Sequence, residues 1–161
     1  FTELMKLGKE RIKILDRLGP GSICTSSQLS TFRRSSGTVL LIESNDFEAR
    51  LYRRILEAGG FEVFHARHGT QALARADEVR PDVIISEIFV SQMDGFQIRQ
   101  RLLSSQDLKE IPFILLSREK SDISVRRGFE MRVYRHFRKP VMPAELTGAV
   151  QALLEQRDRT G

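Results

Sequence analysis

Cysteine is almost missing from this sequence. Cys24 is the only one in 161 residues, so an internal disulfide is excluded and an ordinary thiol is left. No apolar run approaches the roughly 20 residues that a membrane-crossing helix needs. No secretory leader opens the chain, which begins at Phe1 rather than methionine. The expectation is a piece of a longer protein in a cytoplasmic setting. Internal repeats are absent. So are the P-loop, the Rossmann glycine fingerprint and the hydrolase nucleophile elbow. His65 and His68 stand three apart, but no cysteine or further histidine completes a metal set with them. Acids are the scarcer charge: 21 Asp and Glu against 26 Lys and Arg give a net charge of +5. That balance bears on solubility and association rather than on fold.

What is present suits a folded protein. Hydrophobic residues make up 40% and charged residues 29%, outside the range of disordered chains. The length allows one ordinary domain plus an appendage. Leu4, Leu7, Ile14 and Leu18 recur at helical spacing, predicting an N-terminal linker helix over residues 1–18 that Gly19-Pro20-Gly21 ends. Residues 19–37, rich in Ser, Thr and Gly, read as a flexible linker. The compact domain is expected over residues 38–155, with a short tail at 156–161.

Within residues 38–155 buried strands alternate with amphipathic helices. "TVLLI" reads as a strand. Phe47, Leu51, Ile55 and Leu56 follow at helical spacing until Gly59-Gly60. "FEVFHA", "DVIIS", "FILLS" and a short segment around Val133–Phe137 supply four more strands, each followed by a helical pattern. Pro143 opens the last helix, where Leu146, Ala149, Val150 and Leu153 share a face. Five strands alternating with five helices predict a doubly wound α/β fold, a parallel sheet covered on both sides. Such sheets place their working crevice outside the carboxyl ends of the strands. Those ends carry Glu43 and Ser44 after the first strand and Glu87 after the third. Ser117 ends the fourth, and Lys139-Pro140 follows the fifth. An acid such as Glu87 at the tip of a buried strand needs a partner, because an unpaired buried charge is costly.

The motifs "VLLIESND", "MDGF", "IPFILLS" and "KP", in this order and spacing, resemble the receiver domain of two-component response regulators over roughly residues 38–154. The resemblance implies a flavodoxin-like sheet of order 2-1-3-4-5. It also implies phosphoryl transfer from a histidine kinase to an aspartate, with Mg²⁺ held by acids after the first strand. The hydroxyl of Ser117 and the ammonium of Lys139 would contact the phosphoryl oxygens. A hard cation wants oxygen ligands, and charge on the transferred group wants a cation placed in advance.

Several positions depart from the family pattern. Glu87 stands at the acceptor position. Its extra methylene moves the carboxylate by roughly 1.5 Å, and a misplacement of about 1 Å costs on the order of a hundredfold in rate. Ser44 replaces one metal-binding acid, leaving Glu43 and a degenerate site in which Mg²⁺ is at most a weak ligand and no cofactor is required. Asp46 is a candidate cap for the first helix. Arg118 follows Ser117 where a small residue is usual, pointing either into the pocket or into solvent. Val90-Ser91 replaces Met-Pro, and Arg132 stands where a glycine commonly precedes the fifth strand. Three readings remain open: Glu87 paired with Lys139 as a fixed mimic of the phosphorylated state, an eroded site, or retained phosphotransfer.

Arg118, Lys120, Arg126, Arg127, Arg132, Arg135 and Arg138 crowd the region that receivers use for output. Arg126, Arg127 and Arg135, with His136 where receivers often carry an aromatic switch residue, are the candidate contacts. The expected partner is an acidic signalling protein, a kinase or an output domain. A homodimer is a further option, and the rival readings are a solvated surface or a nucleic-acid-binding module. Aromatic residues for base stacking are sparse there and no helix-turn-helix is visible. The expected role is therefore signal transduction through protein contacts rather than enzymatic turnover.

Overall fold

The computed structural model describes residues 37–119 and 121–160, all within one unit, Ser35–Gly161. The N-terminal helix and nearly all of the linker expected from the sequence lie outside the described residues, as does Lys120. Five strands alternate with five helices. They are β1 (Thr38–Ile42), α1 (Asp46–Ala58), β2 (Glu62–Ala66), α2 (Gly69–Val79), β3 (Val83–Glu87) and α3 (Gly95–Leu103). Then come β4 (Phe113–Ser117), α4 (Asp122–Glu130), β5 (Arg135–Arg138) and α5 (Pro143–Thr160). The strands pair in parallel in the order β2-β1-β3-β4-β5. This is the doubly wound, flavodoxin-like arrangement expected from the sequence.

Strand alternation divides the core into two layers. Val39, Leu41, Val83, Ile85, Ile114 and Leu116 face α1 and α5, where they meet Tyr52, Leu56, Leu146, Val150 and Leu153. Leu40, Ile42, Ile84, Phe113 and Leu115 face the other way, against Ala72, Ala76, Phe96, Ile98 and Leu102. The three central strands are therefore apolar on both faces, which is why each reads as a continuous run rather than an alternation.

Local chemistry sets the helix starts. Asn45 caps α1 by accepting from the Glu48 amide at 3.0 Å. Asp46, the expected cap, instead lies in the first turn and pairs with Arg67. Asp94 opens α3 through a capping box with Gln97. Gly95 is required beside it, because an added Cβ would lie 2.6 Å from the Glu87 carbonyl oxygen. The short β5 begins at Arg135 rather than Val133. Arg132, where a glycine was the expected residue, has a φ of 55°, a left-handed conformation that costs an L side chain about 1 kcal/mol or more. α5 continues to Thr160, so residues 156–160 are helical rather than a separate tail. Arg157 there pairs with Asp82.

One buried cation holds the approach to β5 in place. The Arg99 side chain, from α3, donates to the carbonyls of Met131 at 3.0 Å, Ile111 at 3.1 Å and Arg132 at 3.2 Å. Burial, with Arg132 nearby, pushes its pKa down to about 10, which still leaves it charged at neutral pH. The guanidinium thus ties the α4–β5 turn, through Met131 and Arg132, to Ile111 ahead of β4.

Candidate functional site

The carboxyl ends of β1, β3, β4 and β5 bring Glu43, Glu87, Ser117 and Lys139 to one edge of the sheet, each of them buried. Parallel pairing puts these positions at the same level, since Glu87 is in register with Leu116 and Ser117 with Arg138. The Lys139 backbone amide donates to the Ser117 carbonyl at 2.8 Å, so its side chain begins at the floor of the crevice.

Lys139 is the hub. Its ammonium donates to Glu43 Oε2 at 2.7 Å, and it also contacts Glu48 Oε2 and Glu87 Oε2. Burial works to lower the pKa of this ammonium. The hydrogen bonds to Glu43, Glu48 and Glu87 overcome that and hold it above the ordinary lysine range. The carboxylates divide differently. Burial pushes Glu43 up, outweighing its bonds to Lys139 and to the Asn45 amide. Burial also works to raise Glu48, but Lys139 and Arg118 outweigh it and the carboxyl lies below its ordinary range.

Each acid also spends its second oxygen. Glu87 Oε1 accepts from the backbone amides of Ile88 at 2.7 Å and Phe89 at 3.3 Å. Glu43 Oε1 accepts from the Asn45 amide at 3.0 Å. Glu48 Oε1 accepts from Arg118 Nη2 at 2.5 Å. Among the described residues, Glu43, Glu48 and Glu87 are the acids whose oxygens come within 4.8 Å of one another. Three carboxylates fit a hard divalent cation by chemistry, but an ammonium already stands among them.

Ser44 does not join this group. Its hydroxyl donates to the Arg67 carbonyl at 2.7 Å and accepts from the Ser91 amide at 3.0 Å, so it ties the loops after β1, β2 and β3 together. The third acid is supplied instead by Glu48, which the sequence reading missed. Its only signal was an acid in the first turn of α1, five positions after Glu43. Ser117 also points elsewhere. Its hydroxyl donates to the Glu119 carbonyl at 2.5 Å and lies 2.8 Å from His136 Nε2, which makes that nitrogen the donor. Arg118 takes both expected directions at once: its side chain is 74% exposed, yet its tip reaches Glu48.

The other histidines serve the backbone. His65 Nε2 donates to the Glu43 carbonyl at 2.8 Å, and His68 Nδ1 caps α2. Of the candidate output residues, Arg126 and Arg135 are exposed. Arg127 is exposed too, but its guanidinium lies 4.6 Å from the centre of the Phe96 ring. It is therefore partly committed to α3. Between α4 and β5 a cavity of about 470 Å³ is lined by Val125, Phe129, Tyr134, Arg135, His136 and Arg138, among others.

Known proteins resemble this chain in sequence and fold. The polar-differentiation response regulator DivK of Brucella anthropi is 32% identical over 80 residues, covering 50% of this chain and 65% of its own length. The chain thus spans less than two thirds of that curated relative. The signal receiver domain of a signal transduction histidine kinase from Syntrophus aciditrophicus is 32% identical with a TM-score of 0.71, covering 78% of this chain and 95% of that one. The chemotaxis protein CheY4 of Vibrio cholerae is 27% identical with a TM-score of 0.69, covering 73% and 98%. No helix among the described residues is long and apolar enough to cross a membrane. The match of residues 39–151 to the response regulator receiver domain, on a sheet that gathers the acids and the lysine at one edge, places this chain in that family of two-component signalling modules.

Proposed function

We propose that this domain signals through protein contacts with its phosphoryl-accepting centre held closed, and without ordinary aspartyl phosphorylation. The observation that carries this reading is the engagement of Lys139 by Glu43, Glu48 and Glu87 together. Phosphoryl transfer needs a free ammonium and a metal to meet the charge on the transferred group. Here the ammonium is taken, and Glu87 is turned toward the amides of Ile88 and Phe89. A hard cation would have to displace Lys139 from the three carboxylates, so Mg²⁺ binds weakly and no cofactor is required. Glu87 pairs directly with Lys139, which supports a standing mimic of the phosphorylated state over simple erosion. Buried acids are costly to keep without a cation, and all three of these converge on the one ammonium of Lys139.

The output side is the α4–β5 face, where Arg126, Arg135 and His136 border exposed apolar side chains. Ile123 is 81% exposed and Phe129 85%. Arginines there suit an acidic signalling protein, a kinase or an output domain, in a cytoplasmic setting. They disfavour a second copy of the same positive face. The role is one of binding rather than turnover.

Incubation with Mg²⁺ and acetyl phosphate, followed by intact mass measurement, tests the reading. The unmodified mass is expected. A substantial phosphate adduct mapped to Glu87 would overturn it.

A further inference from the structure

Glu48 has its two oxygens on two different elements. Oε2 meets Lys139, just past β5, and Oε1 meets Arg118, the first residue after β4. The carboxylate is nearly buried, its side chain 15% exposed, whereas Arg118 reaches it from solvent. An ordinary exposed ion pair gains little, because two mobile side chains must be ordered for one contact. Here Lys139 and the shelter of the crevice have already fixed the carboxylate, so only the arginine must be ordered.

Among the described residues, the segment that Arg118 belongs to is held by a few further polar contacts. Ser117 bonds to the Glu119 carbonyl and to His136. Ser121 opens α4 through a capping box with Ser124. α4 itself buries only Gly128, while Ile123 and Phe129 stand out in solvent. Little apolar packing holds this helix, so contacts at its leading loop weigh more in setting its position.

We infer that Glu48 is a latch: through Arg118 it sets the position of the loop between β4 and α4, so the output side is controlled from the first turn of α1. Any event that draws the Glu48 carboxylate away frees the loop while leaving the sheet intact. This inference rests on the closed-site reading, in which Lys139 fixes Glu48. Its test reads loop exchange and not adduct formation, so either can fail without the other.

The test is amide hydrogen exchange on the full chain in four forms: unaltered, Arg118→Ala, Glu48→Gln and the double variant. The informative amides are Ser121, Ser124 and Val125, which bond within the α4 cap. Each single change is expected to speed their exchange roughly two- to fivefold. The double variant should be no faster than the faster single, because both remove one contact. Leu40 and Ile84 in the sheet should be unchanged in Arg118→Ala. Because Arg118 is exposed, this variant keeps its fold and decides the matter. Unaltered exchange at Ser121, Ser124 and Val125 in Arg118→Ala refutes the latch, whatever Glu48→Gln does. Independent, multiplying effects of the two changes refute it as well.

Discussion

Lys139 and Glu48 meet across the crevice, one just past the last strand and the other in the first turn of the first helix. This contact gives the receiver fold a third acid at the place where its neighbours Glu43 and Glu87 already bind the same ammonium. Among the described residues, the site is therefore an ionic cluster of three acids around one ammonium. Its stability and its response to pH follow from that composition.

Lys139→Met removes the ammonium that, among the described residues, the three clustered acids share. Breaking a buried pair by deleting one partner costs about 3–5 kcal/mol. The urea midpoint at pH 7 should fall accordingly. In this variant the uncompensated acids bind protons more tightly when folded, so the deficit should shrink as pH falls. A deficit unchanged down to pH 4 would show that Lys139 contributes packing and not charge.

Glu48→Gln separates the pH response of one acid. The native carboxyl lies below its ordinary range, with burial opposing and Lys139 and Arg118 prevailing. A depressed carboxylate contributes stability that is present above its unfolded pKa and is lost as pH falls through the folded value. The variant should be about 1.5–3 kcal/mol less stable at pH 7, the size of a lost hydrogen bond to a charged group. The two proteins should converge in acid. Glu43 acts with the opposite sign, since burial raises it, so the curve for the unaltered protein is a compromise between the two. Parallel stability curves from pH 7 to pH 3 would contradict this assignment.

Arg126 and Arg127 are neighbours with different commitments. Arg127 lies over Phe96 at 4.6 Å, and an exposed cation–π contact contributes about 0.5–1 kcal/mol. Arg127→Glu should lower the thermal midpoint measurably, whereas Arg126→Glu should stay within about 0.5 kcal/mol of the unaltered protein. Equal effects would show that the ring contact carries no stability.

Much of this was legible in the sequence. The strands announce themselves because β1, β3 and β4 are apolar on both faces, and the turn glycine, the prolines and the helical spacing bracket them. Glu87, Ser117 and Lys139 were locatable because strand ends in a parallel sheet share an edge. Glu48 was not, because a single acid in a helix's first turn ordinarily serves the helix dipole. Nothing in its spacing shows that the helix axis aims it inward. The loop contacts of Ser44 were not legible for a related reason. A hydroxyl can be spent on loop backbone as readily as on a cation, and only the positions of Arg67 and Ser91 decide which. Arg99 lacks any sequence signal at all, since its partners are backbone carbonyls some 12 to 33 positions away.

The central claim is that Lys139 is already fully engaged, so the crevice holds one state. Titration with beryllofluoride and Mg²⁺, followed by amide NMR, tests it most directly, because a ligand shifts an equilibrium only through unequal affinity for two states. The account predicts no saturable shifts across α4, β5 and α5 at concentrations that saturate an ordinary receiver. Large, saturable shifts in those elements would contradict it, showing that the ammonium can leave its three carboxylates for an outside anion.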